Sequence, residues 1–163
     1  MDLQAITFGA QIKDKNFINY LTKFILINYN IRNSENLFPA PQPVSIEKKD
    51  FIKLKQYEYY TSIKLDGIRY IMLFIKDRNE DKKCIIVNRA FNFYIININI
   101  EDTIYNGTIL DGEIVKKDNK YTFFVHDALI LCGNKINKKS HSVRLEDTKC
   151  CIDSFMIMDE NNT

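Results

Sequence analysis

Apolar residues near the N-terminus follow the spacing of a helix. Over residues 13–29 they recur every three or four positions, which places them on one helical face. The pattern stops in residues 30–43, where three prolines and several turn-forming residues predict a loop or connecting arm. A second, less regular helical pattern covers residues 143–157. The stripe of the first predicted helix consists of Phe17, Tyr20, Leu21 and Phe24.

From residue 57 onward the apolar positions favour β-strands. These segments are rich in Ile, Val, Tyr and Phe, and turn signals such as Asp66-Gly67 and Asn106-Gly107 separate them. Asp118-Asn119 predicts a hairpin between the last two strands. The sequence therefore predicts an α+β fold built mainly from antiparallel strands. The predicted strands are residues 57–64, 69–76, 83–89, 93–100, 108–115 and 121–131.

Composition narrows the class of protein without identifying it. Of the 163 residues, 45% are hydrophobic and 27% are charged, which is typical of a globular rather than a disordered chain. The net charge is only +2, so overall charge does not indicate a nucleic-acid binder. Apolar runs such as residues 70–75 are far shorter than the roughly 18–20 residues that span a bilayer, and no apolar signal sequence begins the chain. We therefore expect an intracellular protein with no membrane partner.

The first segment with chemical potential is Lys64-Leu-Asp-Gly-Ile-Arg69. In an extended strand Lys64 and Asp66 would project from the same face, and a lysine beside a carboxylate can act as a covalent nucleophile once its amine is deprotonated. Gly67 would let the chain turn and let a ligand approach the backbone, and Arg69 offers forked donors to hydroxyls or phosphates. The alternative is an ordinary Asp-Gly turn flanked by surface charges.

Two further segments place acidic and imidazole groups on strands. Asp111 and Glu113 share one strand face, where buried paired carboxylates are costly unless they bind a metal or another cation. The alternative is a second Asp-Gly bulge, on an edge strand. His126 and Asp127 end an apolar strand, but neighbouring strand residues point to opposite faces, so the sequence predicts no simple acid–base dyad. The alternative for His126 is a packing residue.

These three segments resemble motifs of the covalent nucleotidyltransferases, a family that includes mRNA capping guanylyltransferases and ATP-dependent polynucleotide ligases. The segments occur in one order and at compatible spacing, which strengthens the resemblance. Residues 64–69 match the family motif Lys-x-Asp-Gly-x-Arg at every fixed position, and residues 111–113 match its Asp-Gly-Glu strand. Residues 121–127 match in part a strand that ends in aromatic-Asp, with His126 in the aromatic position. An imidazole is planar and can still stack on a base.

Three other segments resemble capping enzymes more than ligases. Residues 38–45 are similar to a Phe-Pro-Gly-x-Gln-Pro-Val-Ser stretch that precedes the lysine motif in capping enzymes. Val87-Asn-Arg89, together with Phe93, resembles the Asn-Arg strand that follows this motif. Residues 143–145 resemble an Arg-Leu pair that comes later in the family. The family's later Glu-Gly and paired-lysine strands and its OB-fold lid are not recognisable before Thr163. The resemblance thus implies the N-terminal half of a ligase-like nucleotidyltransferase domain.

This resemblance divides the chain into a helical arm, residues 1–36, and a partial nucleotidyltransferase domain, residues 37–163. A fragment, a split gene product and a remnant are all compatible with it, and the isolated chain is expected to be weakly active at most. Isoleucine, lysine and asparagine are abundant, as in AT-rich genomes, which favours a large DNA virus or a protist as the source. A viral capping module would work in the host cytoplasm, in viral factories or in the virion.

The resemblance implies a two-step reaction. Lys64 would attack GTP to form a lysyl-GMP intermediate, with Mg²⁺ or Mn²⁺ as cofactor, and GMP would pass to the 5′-diphosphate end of RNA. The implied partners are GTP, RNA, and the missing half or other capping subunits. An adenylating ligase and a non-catalytic nucleotide- or partner-binding module remain alternatives. The resemblance implies that Glu113 and Asp111 bind the metal and that Phe93 and His126 contact the guanine. The full set of residues implied to contact the nucleotide is Asp66, Gly67, Arg69, Arg89, Phe93, Glu113 and His126.

Overall fold

A seven-stranded sheet forms the centre of the computed structural model, which describes residues 9–31, 38–42, 44–98, 100–117 and 120–156. The strands are β1 (Ala10–Gln11), β2 (Ile68–Lys76), β3 (Lys82–Val87), β4 (Phe93–Ile96), β5 (Thr108–Lys117), β6 (Lys120–Leu131) and β7 (Asn134–Lys135). Their order across the sheet is β1-β4-β3-β2-β5-β6-β7, and the pairings are antiparallel. The α-helices are α1 (Lys15–Asn28), α2 (Phe51–Gln56) and α3 (His141–Met156). The predicted α+β class is confirmed.

Helix α1 begins where the sequence offers a cap. The Asp14 side chain accepts hydrogen bonds from the backbone N–H groups of Asn16 and Phe17 at 2.7 and 3.0 Å, which satisfies two donors at the helix start. The buried face centres on Leu21 and Ile25, both fully buried. Tyr20, a member of the predicted stripe, is 49% exposed, so the buried stripe is rotated toward Ile25.

Both faces of the sheet are covered. On one face, Ile71 and Leu73 of β2 pack in a core with Leu21 and Ile25 of α1. On the other, the neighbouring β2 residues pack with Ile104 and Tyr105 of a short 3₁₀ helix, Asp102–Asn106. Because both faces are buried, β2 is an uninterrupted apolar run rather than an alternating one.

Helix α1, which is part of the predicted helical arm, packs in this core. Strand β1 also joins the sheet, pairing with β4. The predicted boundary between residues 36 and 37 lies outside the described residues, as do Asp118-Asn119 of the predicted hairpin turn and the residues after 156. The hairpin itself is present, because Lys117 of β5 pairs with Lys120 of β6.

The prediction of a strand at residues 57–64 is wrong. Residues 57–66 form neither helix nor strand, and Tyr60 and Ile63 are 79% and 87% exposed. Their side chains favour strands, but that preference depends on pairing with a neighbouring strand, and residues 57–66 pair with no strand of the described sheet. Strand β4 likewise ends at Ile96 rather than at residue 100, and β3 ends at Val87 rather than at residue 89.

Candidate functional site

The first two chemical segments meet at one end of the sheet. In the pairing of β2 with β5, the Cα of Arg69 lies opposite that of Glu113, and Ile71 lies opposite Asp111. Side chains alternate along strands, so Arg69, Asp111 and Glu113 project from one face, the face on which Ile71 packs with α1. Strand pairing therefore brings together residues more than 40 positions apart in the sequence.

Lys64 lies on the exposed segment that leads into β2. Its Nζ donates a hydrogen bond to Asp66 Oδ1, and the two side chains are 84% and 89% exposed. The hydrogen bond and the negative charge of Asp66 raise the pKa of Lys64, and the charge of Glu113 adds a smaller contribution in the same direction. The two side chains meet as predicted, although the segment is not a strand. Lys64 is therefore a solvent-accessible ammonium that must lose a proton before it can act as a nucleophile.

Gly67 allows the lysine segment to lie against β5. Its N–H donates to Glu113 Oε1 at 2.7 Å. A Cβ on Gly67 would lie 2.4 Å from the carbonyl oxygen of Ile114 and 2.8 Å from Cγ of Glu113, so any larger residue would push the segment off the strand. Glycine is therefore needed at position 67 because β5 approaches the backbone so closely. The hydrogen bond to Glu113 fixes this backbone just after Lys64.

Arg69 is held in place on three sides. Its Nε and Nη2 donate to the two oxygens of Asp111 at 2.9 and 2.5 Å, and Nη1 donates to the carbonyl oxygen of Pro41. The guanidinium also lies over the ring of Phe38, 5.8 Å from its centroid. The side chains of Arg69 and Asp111 are only 15% and 3% exposed. Arg69 is thus the cation that the buried carboxylate of Asp111 requires, and it ties residues 38–41 to the motif strand.

The two predicted metal ligands differ in their capacity to bind an ion. Both oxygens of Asp111 accept hydrogen bonds from Arg69, so Asp111 does not fit the role of a ligand. Glu113 uses Oε1 for Gly67, and Oε2 remains directed toward His126 at 3.9 Å. Within the described residues no group of three His, Cys, Asp or Glu side chains forms a metal cluster. Of these two residues, Glu113 alone has an oxygen that would be available to a divalent ion, which would take its remaining ligands from elsewhere.

A β-bulge in β6 sets the positions of His126 and Asp127. Gly112 pairs with Val125 and Asp111 pairs with Asp127, which leaves His126 as the extra residue. His126 Nε2 reaches to within 3.9 Å of Glu113 Oε2, so the imidazole points toward the face that holds Glu113. The expectation that His126 and Asp127 alternate between opposite faces is therefore wrong, because the bulge interrupts the alternation. They still form no dyad, since both oxygens of Asp127 accept hydrogen bonds from Arg144.

Arg89 and Phe93 lie on either side of the turn between β3 and β4. Val87 pairs with Ile71, so this turn lies at the same end of the sheet as Arg69, and Arg89 is exposed on it. Phe93 is 1% exposed in the core beneath α1. The expectation that Phe93 contacts guanine is therefore corrected: its ring packs in the core and has no face open to a base.

Sequence reasoning missed Tyr29 at the end of α1. Its hydroxyl is buried and, within the described residues, has no hydrogen-bond partner. Burial, reinforced by the nearby charge of Asp111, raises the pKa of Tyr29 well above its usual value. A lone tyrosine at the end of a helical stripe gives no sequence signal for this position, because only the folded chain brings it near Asp111.

A cavity elsewhere on the molecule lies apart from the predicted site. A cavity of about 520 Å³ is lined by residues from the start of α1 and by Lys76–Asn79, at the opposite end of β2 from Arg69. It contains none of the predicted site residues. Among the described residues, none of the helices combines the length and hydropathy needed to cross a bilayer.

Gly112 provides a test of how tightly β5 and β6 pack beside the site. A Cβ at this position would lie 2.3 Å from the backbone oxygen of Phe124 and 2.6 Å from Cζ of Phe123. Backbone on a paired strand cannot move cheaply, so we expect Gly112→Ala to lower the free energy of unfolding by about 1–3 kcal/mol in urea titrations. Lys117→Ala, at an exposed position of β5, should change it by less than about 0.5 kcal/mol. Equal stability of the two variants would contradict the packing described.

An accessible lysine, followed by an Asp-Gly whose backbone is bonded to the Glu of a neighbouring Asp-Gly-Glu strand, is the arrangement expected of a covalent nucleotidyltransferase. The family model for the catalytic domain of mRNA capping enzymes matches residues 8–161. The chain therefore belongs to the mRNA capping enzyme family, which confirms the resemblance inferred from its motifs.

Curated relatives have the same family name. The chain is 29% identical to the mRNA-capping enzyme subunit alpha of Kluyveromyces lactis over 136 residues, covering 71% of the chain and 29% of the relative. It is 30% identical to the subunit alpha of Saccharomyces cerevisiae over 128 residues, covering 66% and 28%. It is 31% identical to the mRNA-capping enzyme of Danio rerio over 127 residues, covering 74% and 20%. The chain thus spans less than a third of the length of these relatives.

Proposed function

We propose that this chain forms part of an mRNA guanylyltransferase in which Lys64 transfers GMP from GTP to the end of an RNA. The observation that supports this most directly is the position of Lys64. It is exposed to solvent, on a segment whose backbone is bonded through Gly67 to Glu113. Membership of the capping enzyme family supplies the reaction class.

In the first step, the neutral amine of Lys64 attacks the α-phosphorus of GTP. An N–P bond forms, the bond from the α-phosphorus to the oxygen bridging to the β-phosphate breaks, and pyrophosphate leaves. The proton on Nζ is lost to solvent or to a nearby base. Charge grows on the phosphate oxygens, and Glu113 would help to hold a divalent ion that would supply electrostatic stabilisation there.

In the second step, a terminal phosphate oxygen of a 5′-diphosphate RNA attacks the same phosphorus. The N–P bond breaks, Lys64 regains a proton, and a 5′–5′ triphosphate linkage results. Lys64 is the nucleophile of the first step and the leaving group of the second, so the lysine segment must stay in place while the second substrate replaces pyrophosphate.

The other residues divide into contact and positioning roles. We propose that Arg89, exposed at the site end of the sheet, contacts phosphates and that the half-exposed His126 contacts the base. Arg69 and Asp111 neutralise each other and hold residues 38–41, so they position the site. The subunit name of the fungal relatives supports other capping subunits as partners.

Covalent labelling tests this function. The polypeptide encoded by the complete reading frame that contains this sequence is incubated with GTP labelled at the α-phosphate and Mg²⁺, then denatured. We expect a labelled protein whose label is released by acid and retained in alkali, as for a phosphoramidate. ATP labelled in the same way should give at most weak labelling. Preferential labelling by ATP would indicate a ligase, and binding of GTP without label would indicate a non-catalytic module.

The ion pair between Lys64 and Asp66 predicts a pH effect. Asp66 raises the pKa of Lys64, so Asp66→Asn should lower it, and the free amine should then form at a lower pH. The rate at which acetic anhydride acetylates Lys64, followed by mass spectrometry between pH 7 and 11, should rise at lower pH in the variant. Asp50→Asn, which removes the partner of Lys53, is the control and should leave the profile of Lys64 unchanged. Superimposable profiles for Asp66→Asn and the unaltered protein would show that Asp66 does not control this amine.

A further inference from the structure

We propose that the first turn of α3 positions the nucleophile segment through the bulge in β6. In this arrangement Arg144 fixes the bulge, the bulge directs His126 toward Glu113, and Glu113 holds the backbone of Gly67. Arg144 is then a positioning residue for Lys64. Its effect on catalysis rests on the proposed function, whereas the path of contacts can be measured without it.

Arg144 binds the bulge through a bidentate ion pair with Asp127. Its Nε and Nη2 donate to the two oxygens of Asp127 at 2.7 and 2.6 Å, and its Nη1 donates to the carbonyl oxygen of Lys139 at 2.6 Å. The side chains of Arg144 and Asp127 are 17% and 19% exposed, so both are largely removed from solvent. A planar guanidinium bound on two sides fixes the direction of the carboxylate as well as its charge.

The start of α3 also contacts the residue next to Asp127. A ring nitrogen of His141, the first residue of α3, lies 3.0 Å from the carbonyl oxygen of His126. The two bulge residues are therefore each tied to the same helical turn, one through its side chain and the other through its backbone. A bulge lacks the regular pairing that fixes the rest of a strand, so external contacts of this kind decide its conformation.

From the bulge the path leads to the nucleophile segment. His126 Nε2 lies 3.9 Å from Glu113 Oε2, while Glu113 Oε1 accepts the N–H of Gly67 at 2.7 Å. The Glu113 side chain is 17% exposed and lies between the imidazole and the glycine backbone. A shift of His126 would therefore change the orientation of the Glu113 carboxylate and the backbone position of Gly67, three residues after Lys64.

Electrostatics gives Arg144 a second influence on the same face. The Cα atoms of Asp111 and Asp127 are direct partners across β5 and β6, and each carboxylate has its own arginine. Without Arg144, the carboxylate of Asp127 would lose its cation at a residue whose Cα is the direct partner of that of Asp111. Removal of Arg144 should therefore alter the contacts of β5 and β6 and not only the surface of α3.

Glycine amides provide a direct test, because the chain has only five glycines. The protein labelled with ¹⁵N-glycine is compared by NMR with Arg144→Leu, and hydrogen exchange is followed at each glycine. We expect the Gly67 signal to shift and its protection to fall by about tenfold, as its bond to Glu113 weakens. Gly107 and Gly133, joined by a 2.7 Å hydrogen bond at the opposite end of the sheet, should keep their signals and protection.

Asp147→Asn is the matched control. It removes the 2.8 Å ion pair between Lys139 and Asp147, which also braces α3 but does not reach the bulge. The control should leave Gly67 unchanged. An unaltered Gly67 in Arg144→Leu, or an equal change in Asp147→Asn, would overturn the proposal. Loss of the native signals of Gly107 and Gly133 would show that Arg144→Leu does not fold normally. In that case the same signals and exchange rates are measured in Arg144→Lys, which keeps the positive charge but cannot form the bidentate contact.

The catalytic consequence is measured separately. If the unaltered protein forms the GMP adduct, Arg144→Leu should lower its rate at saturating GTP by about tenfold and leave the half-saturating GTP concentration within about twofold. A change in the half-saturating concentration alone would contradict a positioning role for Lys64. A Gly67 response in this chain, without any adduct from the polypeptide of the complete reading frame, would confirm the contact path and contradict the guanylyltransferase function.

Discussion

Lys64→Ala should abolish formation of the acid-labile GMP adduct. The amine is the only part of this side chain that can form the N–P bond, so labelling should fall by at least roughly a thousandfold. The measurement is the label retained on denatured protein after incubation with α-labelled GTP and Mg²⁺. Because the Lys64 side chain is 84% exposed, the variant should fold normally and still bind GTP.

Two further variants separate the chemistry of Lys64 from its charge. Lys64→Arg keeps the positive charge but should be equally inactive, because a guanidinium does not lose its proton at accessible pH. Lys55→Ala removes an exposed lysine of α2 and should label normally. Residual acid-labile label on Lys64→Ala would show that another amine is the nucleophile.

Arg69→Leu should cause the largest loss of stability. It leaves the carboxylate of Asp111, which is 3% exposed, without a cation at the point where β5 lies between β2 and β6. Breaking a buried pair in this way costs about 3–5 kcal/mol, and the contacts of Arg69 with Pro41 and Phe38 are lost as well. Urea titration at pH 7 measures the loss as a lower midpoint with an unchanged slope.

The double variant Arg69→Met/Asp111→Leu distinguishes a lost pair from lost packing. With both charges removed, no uncompensated carboxylate remains, so stability should recover to within about 1–2 kcal/mol of the unaltered protein. Adduct formation should stay impaired, since residues 38–41 would have lost their anchor. A double variant as unstable as Arg69→Leu would mean that the guanidinium contributes chiefly through its contacts with residues 38–41.

Sequence pattern predicted the elements whose burial follows from local spacing. Helix α1 and strands β2, β5 and β6 lie within two residues of their predicted bounds, because each is long and stands out from the flanking turn residues by its apolar residues. The error at residues 57–64 has a different cause. Tyr57 and Ile63 favour strands wherever a sheet is available, and whether one is available depends on distant parts of the chain.

The candidate site was predictable as a set of residues but not as a set of contacts. Lys64, Asp66, Gly67 and Glu113 follow from two short motifs. The pairing of Arg69 with Asp111 joins residues 42 positions apart, and the bulge at His126 leaves no mark in an apolar strand. Phe93 shows the opposite limit: a motif resemblance suggested a ligand contact, whereas its 1% exposure assigns it to the core.

The irregular, exposed segment before Gly67 has a thermodynamic consequence. Lys64 stands on residues that form neither helix nor strand, beside a sheet that is buried on both faces. Local stability should therefore be low in the segment where we propose that the nucleotide binds. Each residue brought into a single backbone conformation costs about 1–2 kcal/mol of entropy at 25 °C, so fixing even four of them would offset about 4–8 kcal/mol of favourable contacts. Calorimetry should then show nucleotide binding with a large favourable enthalpy, an opposing entropy and only modest affinity, a balance that lets a product leave.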